Sequence, residues 1–259
     1  MADGRKVTIV TGGTYGIGRG ITLALAQRGH QVVSFGLESR QMGSLAEHGI
    51  TGTQAELDKA GLAADLLEAD VSSPEDTQRV AEFAMSRYGR IDGLVNNAAI
   101  HPRGTILETS LEVWNRVLAV NLTGIFLMTK AVMPHMLAAG GGAIVNVASK
   151  ASWGQPTLLA YSASKGGVLG FSFGLGYDHL FEHIRVNVVV PAGVDSGMNE
   201  GQARHPGGPG STYAQRAEPR DIAEAVAFLL SDEARLISGA VLNVNGFAGQ
   251  GGPPRSAQV

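Results

Sequence analysis

The sequence predicts a doubly wound α/β fold with a seven-stranded parallel sheet, and three observations support this fold class. First, seven short runs rich in β-forming residues alternate with longer helical stretches along the chain. Second, several of these runs are apolar throughout, as in strands that helices cover on both faces. Third, no linker interrupts the alternation, so residues 1–259 are expected to form a single domain.

The predicted elements follow one another in strand–helix order. The strands are VTIVT (7–11), QVVSF (31–35), ADLLEA (64–69), IDGLVNN (91–97), AIVNVAS (143–149), IRVNVVV (184–190) and AVLNV (240–244), and the helices cover about 17–28, 75–88, 111–138, 157–180 and 219–231. Pro74 and Pro219 mark two helix starts, because proline suits the first turn of a helix. Residues 36–62 are expected to form a long connection, and the tail 249–259 to be irregular.

Composition excludes several classes of function. The formal net charge is −3 with no basic patch, so a nucleic-acid partner is not expected. The chain has no cysteine, which excludes disulfides and thiolate chemistry, and its seven histidines show no metal-ligand spacing, so no metal is expected. Neither a signal-peptide core nor an apolar run of about 18 residues is present, so we expect a cytoplasmic protein without a membrane partner.

A glycine-rich turn follows the first strand and opens the first helix. Its sequence is Thr11-Gly12-Gly13-Thr14-Tyr15-Gly16-Ile17-Gly18. Glycines at 12, 16 and 18 allow a sharp turn and a close approach of backbone to a pyrophosphate, and the helix N-terminus supplies N–H groups. The context predicts a Rossmann-type dinucleotide site.

The spacing Gly-x-x-x-Gly-x-Gly resembles that of the short-chain dehydrogenases/reductases. Further motifs similar to those of this family occur in the family's order, over roughly residues 5–247: Asp70-Val71, Asn96-Asn97-Ala98-Ala99, Asn121 in Asn-Leu-Thr-Gly, Ser149, Tyr161-Ser162-Ala163-Ser164-Lys165 and Pro191-Ala192-Gly193-Val194-Asp195-Ser196. Ala99 and Ala192 stand where the family usually has glycine, which restricts the backbone near the nicotinamide.

The resemblance implies an NAD(P) site along these motifs. Asp70 is expected to contact adenine, Lys165 the nicotinamide ribose, and Ser196 the carboxamide. The full expected set of cofactor-binding residues is Gly12, Thr14, Tyr15, Gly16, Ile17, Gly18, Asp70, Val71, Asn97, Ala98, Tyr161, Lys165, Pro191, Gly193, Val194 and Ser196.

Tyr161 and Lys165 are expected at the centre of the proton chemistry. Their i,i+4 spacing puts both on one helix face, with Cβ atoms about 5–6 Å apart. A nearby ammonium and the positive nicotinamide would lower the tyrosine pKa from its usual value near 10, so that Tyr161 acts as general acid or base. Ser149, at a strand end, can donate to the reacting oxygen, with Ser152 as an alternative. The resemblance assigns Asn121 to holding a water that supports the lysine.

The end of the second strand normally selects the cofactor. Gly36 occupies the position of the ribose-binding aspartate and Leu37 that of the usual arginine, while Tyr15 replaces a basic residue of the glycine turn. Glu38 could bind the ribose, whereas Ser39 and Arg40 could bind a 2′-phosphate. Because both usual cationic anchors are missing, NAD(H) is favoured over NADP(H).

Residues 195–215 resemble the family's substrate lid by position, and their glycine and proline content is typical of a closing loop. The expected substrate contacts are Ser149, Trp153, Tyr161 and Met198. Polar candidates His101, Lys150 and Gln155 would suit a sugar, polyol or hydroxy acid, whereas Trp153, Met198 and Leu158 would suit an apolar ketone. Both alternatives stay open.

Together these features predict an oxidoreductase that transfers a hydride between NAD(P) and a secondary alcohol or ketone. The alternatives are a non-redox member of the same fold, which should lack the glycine turn, and a silent nucleotide-binding regulator, which should lack Tyr161 or Lys165. In the family, the helix at 157–180 commonly lies at a subunit interface, so a homo-oligomer is expected, either tetramer or dimer.

Overall fold

A computed structural model of the protein describes residues 4–38, 49–194 and 217–244. Its strands are β1 (Val7–Thr11), β2 (Gln31–Gly36), β3 (Asp65–Glu68), β4 (Gly93–Asn96), β5 (Gly142–Val147), β6 (Ile184–Pro191) and β7 (Val241–Val244). Its α-helices are α1 (Gly16–Gln27), α2 (Gly49–Ala60), α3 (Pro74–Tyr88), α4 (Leu111–Leu118), α5 (Gly124–Ala138), α6 (Leu159–Asp178) and α7 (Pro219–Leu230).

All seven strands pair in parallel in one sheet, in the order β3-β2-β1-β4-β5-β6-β7. The predicted doubly wound, Rossmann-type fold is therefore confirmed. The order reverses direction between β1 and β4, and in such sheets a ligand crevice opens at the carboxyl ends of the strands beside this point. The glycine turn after β1, Asn97 after β4 and Ser149 after β5 all lie at that edge.

Both faces of the sheet are covered, which explains why the strands are apolar throughout. On one face α3 packs against α5, and Val80 and Met128 are buried against Ile9 and Ile144 of the sheet. On the other face α1 packs against α7, and Leu25 of α1 is buried in the apolar core between these helices and the sheet.

The expectation of one long connection over 36–62 is wrong for residues 49–60, which form α2. Only Gly52, Thr53 and Leu57 of this helix are buried, so it has no apolar repeat that a sequence pattern could detect. Its contact with the glycine turn is polar, since Thr53 Oγ1 donates to the carbonyl oxygen of Thr14 at 2.9 Å.

The predicted helix 111–138 consists of α4 and α5 joined by one π-helical turn, Ala119–Thr123. By length and composition alone, Leu111–Ala138 could cross a membrane. However, 56% of its most apolar window is buried inside the protein, with Met128, Val132 and Met136 fully covered. It is therefore the core helix of the sheet's first face, and the cytoplasmic location stays a prediction.

The outer side of α6 carries exposed apolar side chains, among them Phe173 and Tyr177. Gly170 and Gly174 on the same helix have open space where a Cβ atom would lie. Such a surface can accept the backbone of a neighbouring helix at close range. The homo-oligomer stays a prediction, and we expect α6 to form its interface.

Candidate active site

The glycine turn has the backbone geometry that its sequence predicts. Gly12 and Gly16 have φ angles of +62° and +49°, which favour glycine. A Cβ atom on Gly18 would lie 1.9 Å from the carbonyl oxygen of Gly12, so only glycine allows α1 to approach the turn this closely. Asn97 braces the turn from β4, because its Nδ2 donates to the carbonyl oxygens of Thr11 and Gly12, both at 3.1 Å.

We expect Gly18→Ala to weaken NADH binding at least tenfold and to lower the free energy of unfolding by roughly 1–3 kcal/mol, because the new methyl group forces the turn outward. NADH fluorescence titration and urea unfolding measure the two effects. Gly176→Ala is the matched control, since a Cβ atom there meets Val186 at an ordinary 3.7 Å. Unchanged NADH affinity in Gly18→Ala would contradict the role of this turn.

A cleft of about 320 Å³ opens at the carboxyl edge of the sheet. Most of the predicted site residues line it: Gly12, Tyr15, Gly16, Ile17, Gly18, Asp70, Val71, Asn97, Ala98, Ser149, Tyr161, Lys165, Pro191, Gly193 and Val194. The glycine turn at one end, and the absence of any Cβ atom where the backbone must approach a pyrophosphate, fit a dinucleotide. Among residues 4–38, 49–194 and 217–244, no group of three His or carboxylate side chains could hold a metal ion.

Three predicted residues in the described part of the chain, Thr14, Asn121 and Trp153, do not line this cleft. Thr14 is buried below the turn, where its Oγ1 faces Gly36, so a side-chain contact with the cofactor is not supported. Trp153 is 63% exposed and outside the cleft lining, so its substrate contact stays a prediction. Ser196 and Met198 lie outside the described residues.

Tyr161 and Ser149 line the same cleft, one from α6 and one from the end of β5. Burial raises the pKa of Tyr161, and the hydrogen bond from Ser149 opposes this shift. The expected lowering of the tyrosine pKa includes the charge of a bound nicotinamide and stays a prediction. With its pKa raised by burial, the Tyr161 hydroxyl is a proton donor.

Lys165 lies fully buried behind Tyr161 on the next turn of α6. Its Nζ donates to the carbonyl oxygen of Val147 at 2.6 Å and lies 5.9 Å from the centre of the Tyr161 ring. Burial lowers the pKa of Lys165 to about 8. The ammonium form of Lys165 thus predominates at pH 7. Its position beside the tyrosine is the one that the i,i+4 spacing predicts.

Asn121 is buried in the π-helical turn, outside the cleft lining. Its Oδ1 accepts from the N–H of Ile100, and its Nδ2 donates to the carbonyl oxygen of Ile100 and to Ser164 Oγ at 3.0 Å. The side chain therefore joins the segment after β4 to the helix that carries Tyr161. A π-turn at a functional site commonly turns one side chain out of the regular helical register in this way.

Ser152, the alternative to Ser149, has a different partner. Its Oγ donates to the carbonyl oxygen of Lys165 at 2.9 Å, and the residue does not line the cleft. Ser149 Oγ instead accepts from the N–H of Ala151, which caps the short 3₁₀ helix Lys150–Trp153, and it faces Tyr161. The geometry favours Ser149 for the site.

Two cleft residues change the expected character of the site. His101 makes an edge-to-face contact with Tyr161, with ring centroids 5.7 Å apart. Arg103 also lines the cleft, although the sequence analysis did not predict it. His101 is one of the polar substrate contacts expected from the sequence, whereas the only sequence signal for Arg103 is its proximity to the Asn-Asn-Ala-Ala motif that ends β4.

At the end of β2, Gly36 and Leu37 line the cleft, whereas Glu38 does not. Glu38 Oε2 accepts a hydrogen bond from the N–H of Ile50 at the start of α2, so ribose binding by Glu38 is not supported. A Cβ atom on Gly36 would lie 2.6 Å from Thr14 Oγ1, which explains why a larger residue is absent there. Ser39 and Arg40 lie outside the described residues.

Comparisons with known proteins show which proteins this chain resembles. The short chain dehydrogenase family matches residues 6–206. The chain is 32% identical to 3-oxoacyl-[acyl-carrier-protein] reductase FabG of Thermotoga maritima, with 93% of this chain and 96% of that protein covered. It is 36% identical to cis-4-hydroxycyclohexanecarboxylate dehydrogenase of Sinomonas cyclohexanicum, covering 95% and 97%. A crystal structure of a short-chain dehydrogenase/reductase from Burkholderia xenovorans superposes with a TM-score of 0.83 at 31% identity, covering 96% and 98%.

Proposed function

Because this chain belongs to the short-chain dehydrogenase/reductase family, whose members here are oxidoreductases acting on alcohols or ketones, we propose that Tyr161 is its general acid and base in hydride transfer. The observation that carries the proposal is that Ser149 and Tyr161 line the same cleft, with Lys165 Nζ 5.9 Å from the centre of the tyrosine ring.

The bound nicotinamide supplies or accepts the hydride, and the chain's own residues handle the proton. In the reduction of a ketone, Tyr161 Oη gives its proton to the substrate oxygen, and Ser149 donates a hydrogen bond to the same oxygen. The Lys165 ammonium stabilises the phenolate left on Tyr161. In the oxidation of an alcohol, the phenolate accepts the hydroxyl proton. A general acid at this position contributes on the order of 10²–10⁴-fold to the rate.

The cofactor is NAD(P)(H), and the preference for NAD(H) stays a prediction. Among described residues, Leu37 at the end of β2 provides no charge for a 2′-phosphate. Because Glu38 is hydrogen-bonded to Ile50, it gives no support for ribose binding. The preference for NAD(H) therefore rests only on the lack of a basic residue at the end of β2. Fluorescence titrations with NADH and NADPH test it: tighter binding of NADPH that is lost in Arg40→Ala would contradict the preference.

The proposed function is tested by a screen of secondary alcohols and ketones, run with both cofactors and followed by nicotinamide absorbance. We expect reversible turnover of at least one alcohol–ketone pair. The panel includes sugars, polyols, hydroxy acids and apolar ketones, because the sequence predicts both polar and apolar residues in contact with the substrate. Absence of nicotinamide-dependent turnover across the panel, with NAD(P)H binding intact, would favour the nucleotide-binding regulator instead.

A further inference from the structure

The charges of the cleft are unequally distributed. The cations Arg103 and Lys150 and the imidazole of His101 line the part of the cleft around Tyr161 and Ser149. Among the described lining residues the one carboxylate is Asp70, which is on the far side, where its Oδ2 accepts from Arg116 at 3.2 Å. The reacting end of the cleft therefore carries positive charge without a matching carboxylate in the described chain.

Arg103 is held at a defined place beside the start of α6. Its Nη1 donates to Thr157 Oγ1 at 3.1 Å. The next residue, Gly104, donates its N–H to the carbonyl oxygen of Thr157 at 2.8 Å and forms an isolated parallel bridge with Leu158. Tyr161 follows Leu158 by one helical turn, so the arginine and the tyrosine are fixed to the same short segment.

The backbone of that segment is strained. Thr157 has a φ of +60°, an unfavourable value for a β-branched residue. Such a conformation persists only when surrounding contacts hold it, and strained residues of this kind cluster at ligand-binding sites. Here the contacts that hold Thr157 are those with Arg103 and Gly104. We therefore infer that the strained conformation keeps Arg103 in its position at the cleft.

Arg103 and Lys150 keep donors for a ligand. The guanidinium has five N–H donors in a planar fork that matches a carboxylate, and one bond to Thr157 is its only hydrogen bond in the described part of the chain. Within the same residues neither Arg103 nor Lys150 forms an ion pair. A cation that lines a cleft without a protein carboxylate is suited to an anionic ligand.

We propose that the substrate is an alcohol or ketone that carries a carboxylate, an inference that rests on the proposed function. Arg103 binds this carboxylate, and Lys150 adds positive charge beside it. Oxidation breaks the carbinol C–H bond, passes the hydride to the oxidised nicotinamide and the hydroxyl proton to Tyr161, and leaves the carboxylate unchanged. The anionic group is thus a handle that orients the reacting carbon.

The first test compares hydroxy acids with their methyl esters: 3-hydroxybutyrate, mandelate, and cis- and trans-4-hydroxycyclohexanecarboxylate. We expect kcat/KM at least tenfold higher for the preferred acid than for its ester. In Arg103→Gln this ratio should fall towards one, mainly through a higher KM of the acid, and Arg103→Lys should retain part of it. Arg235→Gln, an exposed arginine outside the cleft, removes the same charge and should keep the wild-type ratio. Equal kcat/KM for acids and esters would overturn the proposal.

The second test needs no turnover. Binding of cyclohexanecarboxylate and of cyclohexanecarboxamide to the protein with NADH present is measured by calorimetry. Tighter binding of the carboxylate, weakened by salt and lost in Arg103→Gln, supports the anion site, whereas equal affinities overturn it. If the substrate screen shows no hydride transfer but this preference exists, the proposed function fails and the anion site stands.

Discussion

Tyr161→Phe is expected to lower kcat by about 10²–10⁴-fold while NADH affinity stays within about threefold of wild type. The substitution removes the hydroxyl that we propose exchanges a proton with the substrate, and it keeps the ring that packs against His101. The ring is buried, so the fold should tolerate the loss of one hydroxyl. Steady-state kinetics and NADH fluorescence titration measure the two quantities on the same preparation.

The control is Tyr177→Phe, which makes the same chemical change on α6 at a side chain that is 78% exposed. It should have wild-type kinetics. Wild-type turnover in Tyr161→Phe would remove the tyrosine from the chemistry, whereas loss of NADH binding as well would indicate a structural role.

Lys165→Met is expected to abolish turnover and yet to stabilise the cofactor-free protein by about 2 kcal/mol at pH 7. Burial lowers the pKa of Lys165 from 10.5 to about 8, which corresponds to about 3 kcal/mol against the buried ammonium. Methionine avoids this cost, but it leaves the carbonyl oxygen of Val147 without its donor, which costs about 1 kcal/mol.

The stability difference between Lys165→Met and the wild type should depend on pH. Below pH 8 both the folded and the unfolded wild-type chain carry the proton, so the full penalty is present. Between pH 8 and 10.5 the unfolded chain binds more protons than the folded one, and the stability of the wild type therefore rises with pH. The advantage of Lys165→Met should thus shrink over this window.

Urea unfolding at pH 7 and pH 9.5 measures this change. Lys59→Met, at an exposed lysine near the end of α2, is the control and should show little change at either pH. A variant that is less stable than wild type at pH 7, or whose advantage does not depend on pH, would contradict the role of desolvation at Lys165.

The sheet and the glycine turn could be predicted because their signals are local. Each strand shows as an apolar run, and the turn residues Gly12, Gly16 and Gly18 stand in one short stretch whose spacing reflects backbone geometry. Helix α2 was missed for the opposite reason, since it packs through Gly52, Thr53 and Leu57 and has little apolar pattern. Tyr161 and Lys165 could be paired from the sequence because an i,i+4 spacing on a helix is itself a contact.

Other properties of the site arise from contacts between residues far apart in the chain, which no spacing encodes. Burial raises the pKa of Tyr161, and the hydrogen-bond partners of the two serines, Ala151 for Ser149 and Lys165 for Ser152, separate them. Arg103 reaches the cleft through Thr157, more than fifty residues later. The order of residues alone is therefore sufficient for the fold and for placing Tyr161 and Lys165 side by side, because these depend on periodicity and short-range geometry. The folded chain alone decides the protonation of that pair and the charge that surrounds it, because desolvation and electrostatics depend on which distant segments meet.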